Sequence, residues 1–198
     1  KKLKITVFYE REIYKSTNSQ TIGITEKNIY NLKKILPNVF KIGNKINQIN
    51  IYDNHYDEKI SFKPNKEYHF MVIEYNKILR NLKKKLINKK NINFKKTKLS
   101  KISLNKNFLN DYDIVVDTNL ENSFSKKYFS KKIYKDYFSK AYVTNLYHSN
   151  LKNNNIANQI YTEYGPLAFL PISKNKTSIV FSISNKHKFF KKEEIKDL

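Results

Sequence analysis

The chain has 198 residues and a mass of 23.7 kDa, enough for one domain or a little more, with a sizeable core. Aromatic residues reach 14%, which argues against a disordered chain, and the absence of cysteine excludes a disulfide scaffold, a cysteine-ligated zinc site and a cysteine nucleophile. Thirty-nine Lys and Arg against 17 Asp and Glu give a formal charge of +22, but Arg occurs only at Arg11 and Arg80. Arginine is the residue suited to bidentate phosphate and guanine contacts, so its scarcity disfavours nucleic acid as partner. The excess of Lys is spread from end to end alongside Asn, Ile, Tyr and Phe. That is the signature of an AT-rich coding sequence, and attraction to an anionic membrane surface comes second.

In chain order, Ile5 to Tyr9 (ITVFY) reads as a strand that ends in Glu10 and Arg11. No signal-peptide apolar core precedes it, no apolar run approaches membrane-spanning length, and a cytoplasmic setting is expected. Lys15 to Gln20 is polar and loop-like. Thr25 predicts a helix N-cap, Ile29, Leu32, Ile35 and Leu36 share the predicted apolar face, and Pro37 ends the helix. Ile49 and Ile51, then Ile60 and Phe62, alternate with polar residues about a loop at Asp53 to Glu58, which predicts a hairpin. Phe70 to Ile73 is a short apolar run. EYNKILRNLKKKLI then predicts an amphipathic helix with Ile78, Leu79, Leu82 and Leu86 inside and Lys83 to Lys85 outside. The Lys- and Asn-rich stretch from Asn88 to Asn107 is punctuated by Ile92, Phe94, Leu99, Ile102 and Leu104, which predicts short strands. Asp113 to Val116 predicts another. The second half predicts strands at Ala141 to Tyr147, Ile156 to Tyr164, Leu167 to Ile172 and Ser178 to Ile183, then a helical end in KKEEIKDL. The pattern is α+β, with a parallel beginning and an antiparallel second layer.

Few motifs carry chemistry on their own. The chain has no glycine-rich phosphate turn and only three glycines. His55, His69, His148 and His187 have no ligand spacing, and Asp111 and Asp113 read as the flank of a loop-to-strand junction. Tyr161 to Ser173 (YTEYGPLAFLPIS) stands apart, because it holds one of the three glycines and two of the four prolines. A proline-bounded strand sits at a sheet edge or lines an opening. Phe169 and Leu170 are expected near a ligand-facing wall.

That segment carries a resemblance. GPLAFLPIS followed by SIVFSIS resembles the "GPlAfLPl…svVW" stretch of the flavin-dependent aromatic hydroxylases of ubiquinone biosynthesis. VIEYNKILRNLKKKL (Val72 to Leu86), NKINQINIYD (Asn44 to Asp53), SQTIGIT (Ser19 to Thr25) and the run from Ala141 to Pro171 are similar to further stretches of that family, in the same order. The resemblance implies a Rossmann-like FAD-binding portion over residues 1–135 with an inserted hairpin. It implies an antiparallel substrate sheet over 136–198, the two interleaving. It implies FAD as cofactor, NAD(P)H as reductant and hydroxylation of a polyprenyl-phenol ring. Peripheral contact with the inner face of an anionic membrane and contact with other quinone-biosynthesis enzymes follow as expected partners. By position in the family pattern, Glu10 would accept the adenosine ribose hydroxyls, and Gln20 and Asn119 would lie by the cofactor. Gly165, Pro166 and Pro171 would shape the substrate wall. No side chain is implied as catalytic and none as a metal ligand.

The departures are specific. The family's glycine-rich FAD turn would precede Lys1 and its Gly-Asp motif would follow Leu198, so the chain reads as the middle of a longer protein. Gln20 stands where the family has Arg, Asn119 and Leu120 where it has Asp-Gly, and Lys126 where it has Arg, although Asn122 and Ser123 survive. A leucine places a side chain where backbone would approach the cofactor. The alternatives are a non-catalytic quinone-pathway binding or scaffold protein and, behind it, a basic nucleic-acid-binding module.

Overall fold

The computed structural model describes residues 3–10, 20–55, 57–65, 67–97, 110–118 and 135–184. The chain divides into two compact units, one of Lys1–Lys15 with Lys83–Lys135, the other of Ser16–Leu82 with Asp136–Leu198.

In the first unit, β1 (Ile5–Tyr9) pairs in parallel with β7 (Ile92–Lys96), Ile5 opposite Ile92 and Tyr9 opposite Lys96. Backbone bonds close both ends, from Ile5 N–H to Asn91 O at 2.8 Å and from Thr97 N–H to Tyr9 O at 2.9 Å. The Tyr9 ring meets Phe94 edge-on with centroids 6.5 Å apart, and the Lys83 ammonium lies 5.7 Å from the Tyr9 centroid. Lys83, expected in solvent, is thus half-buried, its aliphatic stem covering apolar surface. Asp113 to Val116 forms no strand. Ile114 and Val116 are each 80% exposed, because a run of β-formers needs a ladder partner and none is present among the described residues. Leu99, Ile102, Leu104 and the expected C-terminal helix fall outside the described residues.

In the second unit, a three-stranded antiparallel sheet has the order β2 (Thr21–Thr25), β6 (Phe70–Glu74), β3 (Gly43–Ile46). Helix α1 (Glu26–Ile35) follows β2 directly. Thr25 is its N-cap residue but makes no side-chain cap bond, because Thr25 also closes the β2 ladder opposite Phe70. Ile29 and Leu36 are buried and Leu32 packs beside them, whereas Ile35 is 53% exposed. At 100° per residue Ile35 falls about 120° from Ile29, off the packed stripe. A 3-10 turn at Val39–Lys41 adds Val39 to the same core, with Tyr68, Met71, Ile73 and Ile78. Ile78 belongs to α2 (Tyr75–Leu86), which leaves the end of β6 with Leu82 also turned to that core.

The larger sheet has six strands in the order β5 (Glu58–Phe62), β4 (Gln48–Tyr52), β9 (Ile156–Thr162), β10 (Gly165–Ser173), β11 (Lys176–Ser184), β8 (Ser139–Tyr147). Strands β8 to β11 are antiparallel to one another, as the alternation predicts. The β4–β5 hairpin joins them through a parallel pairing of β4 with β9. Asp53 turns that hairpin, its carboxylate accepting the N–H groups of His55 at 2.9 Å and Asp57 at 3.1 Å.

Candidate functional site: an open row on the six-stranded sheet

Successive side chains of a strand point to opposite faces, so register lines them up in rows across a sheet. One row runs Phe62, Ile49, Ala157 and, on the neighbouring strands, Leu170, Ser178, Asn145. This row meets the three-stranded sheet. Ile49, Ala157 and Leu170 pack with Ile46, Val72, Phe70 and Ile172, and the fully buried Ser178 hydroxyl accepts a bond from Thr21 Oγ1 at 3.1 Å.

Two residues further along each strand, on the same face, lies a second row: Ile60, Ile51, Gln159, Ala168, Val180, Val143. None of the six belongs to a core cluster. Ile60 and Val143 at its ends are 49% and 46% exposed, and the four between are half-buried. The row holds no charged residue, in a chain where 28% of residues are charged. Five interstrand spacings make it roughly 24 Å long. Tyr161 and Pro166 continue the same face.

A polar seam borders the packed row. Glu74, at the end of β6, accepts bonds from Lys176 at 2.9 Å and Lys77 at 2.7 Å. Burial alone would push the Glu74 carboxyl up, but the two lysines outweigh it and hold it below the usual carboxylate range. Burial likewise works against the Lys176 ammonium, and Glu74 and Tyr147 outweigh it and raise it. Asn44 Nδ2 donates to Asn154 O at 2.6 Å and to Pro171 O at 3.2 Å, and Asn154 Nδ2 donates to Ser173 O at 2.6 Å. His148 bridges Ser149 O (2.8 Å) and Thr177 Oγ1 (3.0 Å). Among the described residues no group of three His, Asp or Glu converges as metal ligands.

The residues singled out in the sequence fall in several places. Gln20 is exposed at the mouth of β2, its carbonyl accepting Tyr75 N–H at 2.9 Å, one residue before the Thr21 that contacts Ser178. Pro166 lies on the open face. Gly165 shapes the β9–β10 hairpin with φ of 140°, and Thr162 Oγ1 donates to its carbonyl at 2.7 Å. Pro171 is fully buried, opposite Thr177. Pro166 and Pro171 sit five residues apart on one strand, roughly 17 Å, so they do not form one cluster. Phe169 and Leu170 cannot share a wall either: they are neighbours on a strand and face opposite ways, Leu170 into the contact between the two sheets. Glu10 is exposed just past the carboxyl end of β1, in the other unit, and Asn119 lies outside the described residues. Sequence reasoning passed over Gln159, Thr21, Ser178, Glu74 and Lys176. The alternation of Ala157, Gln159 and Tyr161 held a signal for the first of these.

FAD can be tested against these residues. Glu10, at the carboxyl end of a parallel strand, fits a ribose diol. The pyrophosphate has no such match. Gly23, Gly43 and Gly165 all lie in strands. A Cβ on Gly23 or Gly43 would meet the side chains of Phe70 or Ile73, so these glycines serve sheet packing. Among the described residues both α-helices begin at a carboxylate, Glu26 in the first turn of α1 and Glu74 just before α2, where an anion would otherwise bind. The described residues do not fit the pyrophosphate of FAD.

Comparison with solved structures places the fold. PqsL of Pseudomonas aeruginosa, a probable FAD-dependent monooxygenase, superposes with a TM-score of 0.63 at 10% identity, over 92% of this chain and 54% of that one. A mutant of PqsL gives 0.68 at 10% identity over 92% and 55%, and FqzB gives 0.63 at 8% over 96% and 49%. The chain spans about half the length of these proteins. No protein-family model matches the sequence, and no curated protein matches it. The fold is therefore flavin monooxygenase-like, and the described residues are sheet-rich, with two α-helices and mixed sheets.

Proposed function

We propose that the chain is part of a flavin-dependent monooxygenase that hydroxylates the ring of an apolar phenol, and that its six-stranded sheet is the substrate wall. The observation that carries this is the uncharged row from Ile60 to Val143, left open beside the packed sheet contact. The fold likeness supports the flavin class, and PqsL itself has been crystallised with 2-aminobenzoylacetate. The resemblance in the sequence names a polyprenyl phenol of ubiquinone biosynthesis as the substrate. FAD and NAD(P)H are carried on the resemblance; they would supply the oxygen chemistry and the reducing equivalents. This chain's part is to hold an apolar ring against the sheet and keep water from it. Pro166 extends the wall, with Gly165 and Pro171 setting the course of its strand. Gln20 presents a neutral donor at the border of the packed row. Glu10 for the ribose and Asn119 for the cofactor are carried on the resemblance.

The test is phenol-stimulated NAD(P)H oxidation by the protein as its gene encodes it, with FAD supplied, and a product heavier by one oxygen. Tight phenol binding without either signal would favour the second reading, a non-catalytic binding or scaffold protein of the same pathway. Asn119 and Leu120, standing where the family has Asp-Gly, are the observation on that side. Placement at the inner face of the membrane belongs to the same proposal. No helix among the described residues is long and apolar enough to cross a membrane.

A further inference from the structure

We infer that β8 is an interface between two copies of this chain, its outer edge pairing antiparallel with the β8 of the second copy about a two-fold axis at Val143. Such a contact stands whether or not the flavin reading does.

The six-stranded sheet treats its two edges differently. β5 has five residues, lies beside a bulge at Ile51 and Tyr52, and is followed by Lys63 and Pro64. Short length, a bulge, lysine and proline are the usual means of blocking an edge. Of these β8 has only Lys140. It runs nine residues in unbroken register with β11, and no other described strand pairs with it. Seven of the nine residues are exposed, Val143, Leu146 and Tyr147 among them, and Tyr137 and Phe138 stand exposed just before. Phe138 is held at a φ of 50°, the one non-glycine residue at positive φ among the described residues, with the Asp136 carboxylate accepting its N–H at 2.7 Å. A bulky residue in that conformation is strained, and here the turn leaves its ring in solvent at the start of the edge.

Charge selects the occupant. From Asp136 to Leu151 the sequence holds one Asp and one Lys, a net charge of zero, in a chain of +22. The edge has no charge with which to draw an acidic or basic segment, and it is where two copies meet with least repulsion. Symmetry then gives the register, since in an isologous pair residue i meets residue j and j meets i. With the axis at the middle of the strand, Val143 meets Val143, Tyr142 meets Thr144 and Lys140 meets Leu146, so no like charges are opposed. The two Lys140 residues stand about 20 Å apart along the ladder, beyond the screening length of about 8 Å. The ladder is about 30 Å long and closes about nine backbone hydrogen bonds, within the usual range for a specific interface. Asn145, in the row that meets the three-stranded sheet, is opposed by Ala141, so the two packed contacts fall on either side of the axis. The open rows of the two copies meet end to end at Val143.

The test is sedimentation velocity on the purified protein at about 0.05 M and about 0.5 M salt, for the parent, Val143→Lys and Ile60→Lys. A contact one strand wide is expected to give a dimer in the micromolar range. It should tighten several-fold at the higher salt, because screening relieves the repulsion of two like-charged bodies. Val143→Lys opposes two ammonium groups at the axis and should weaken the dimer about tenfold. Ile60→Lys adds the same charge at the guarded edge, at matched exposure, and should not weaken it. If Val143→Lys fails to fold by circular dichroism, Leu146→Lys takes its place, since it opposes Lys140 of the second copy. Because the chain has no cysteine, Val143→Cys alone should give a disulfide-linked dimer under mild oxidation, and Ile60→Cys should not. A protein that stays monomeric at about 100 µM in both salts overturns the interface. So does an association that salt weakens, or one that Val143→Lys and Ile60→Lys weaken equally. Open-ended assemblies, or a dimer that Val143→Cys does not cross-link, overturn the two-fold axis at Val143.

Discussion

Gly165 sets the β9–β10 hairpin in a way no other residue could. Its φ of 140° lies where side chains are rarely tolerated, and a Cβ there would sit 2.1 Å from the carbonyl oxygen of Ser182. That neighbour is backbone and cannot rotate away. Gly165→Ala is expected to cost about 3 kcal/mol or more, read as a lowered urea midpoint at unchanged slope. The Glu74–Lys176 pair is the other residue-scale lever. Glu74 is held below its usual value, so its contribution is full above about pH 4.5 and is lost as pH falls through the folded value. Lys176 is raised, so its contribution is full below about pH 10.5 and is lost as pH rises through its folded value. With side chains 13% and 23% exposed, the pair sits between surface and buried cases. Lys176→Met should therefore cost about 1.5 kcal/mol, or roughly 5 °C in Tm, at neutral pH. Glu74→Gln should flatten the acid limb of the stability profile. A variant with an unchanged acid limb would show that other carboxylates govern it. Gly165 was legible in the sequence because glycine is so scarce there. Glu74 and Lys176 were not, since 102 residues separate them and no local pattern announces the pairing.

Element by element, local periodicity was read well where one face of a helix or strand meets one partner. Helix α2, the β4–β5 hairpin and the four strands β8 to β11 follow their alternation or their stripe. Apart from Ile35, the failures share a cause, a partner chosen by tertiary structure. Ile35 has the right composition for the α1 stripe but the wrong angle. Ile114 and Val116 have strand propensity without a ladder, and nothing in IANQIYT says that it will pair in parallel with Gln48–Tyr52. The α1 assignment is tested directly: Ile29→Ala should cost about 3 kcal/mol, and Ile35→Ala less than about 0.5 kcal/mol, in urea unfolding. Equal costs would mean a different packed face. The helix starts carry a second prediction. With carboxylates at both and no glycine-rich turn, this 198-residue chain should bind FAD more weakly than micromolar, followed by flavin fluorescence. Micromolar or tighter binding would show that this chain does hold a phosphate site.

On the scale of the whole molecule the dominant quantity is the charge of +22, carried by 37 lysines and two arginines. Lysine is a strongly hydrated point charge, so it attracts an anionic surface without reading it. Each lysine held near an anionic leaflet contributes up to about 1 kcal/mol, within a Debye length of about 8 Å at physiological salt. Because the lysines run through the whole sequence, only a handful can face a flat bilayer at once. Attachment is then expected to be peripheral and reversible, as the proposal of a membrane-resident phenol substrate requires. The protein should co-sediment with anionic vesicles at low salt and leave them near ~0.5 M salt, where the screening length shrinks. Nucleic acid would give a salt dependence of the same sign, so the deciding measurement is competition, with duplex DNA or RNA offered against vesicles at equal charge. Vesicles that keep the protein at physiological salt support the membrane contact. Nucleic acid that strips it from them, and binds with marked strand or sequence preference, would overturn that contact and revive the basic nucleic-acid-binding reading, which the two arginines argue against.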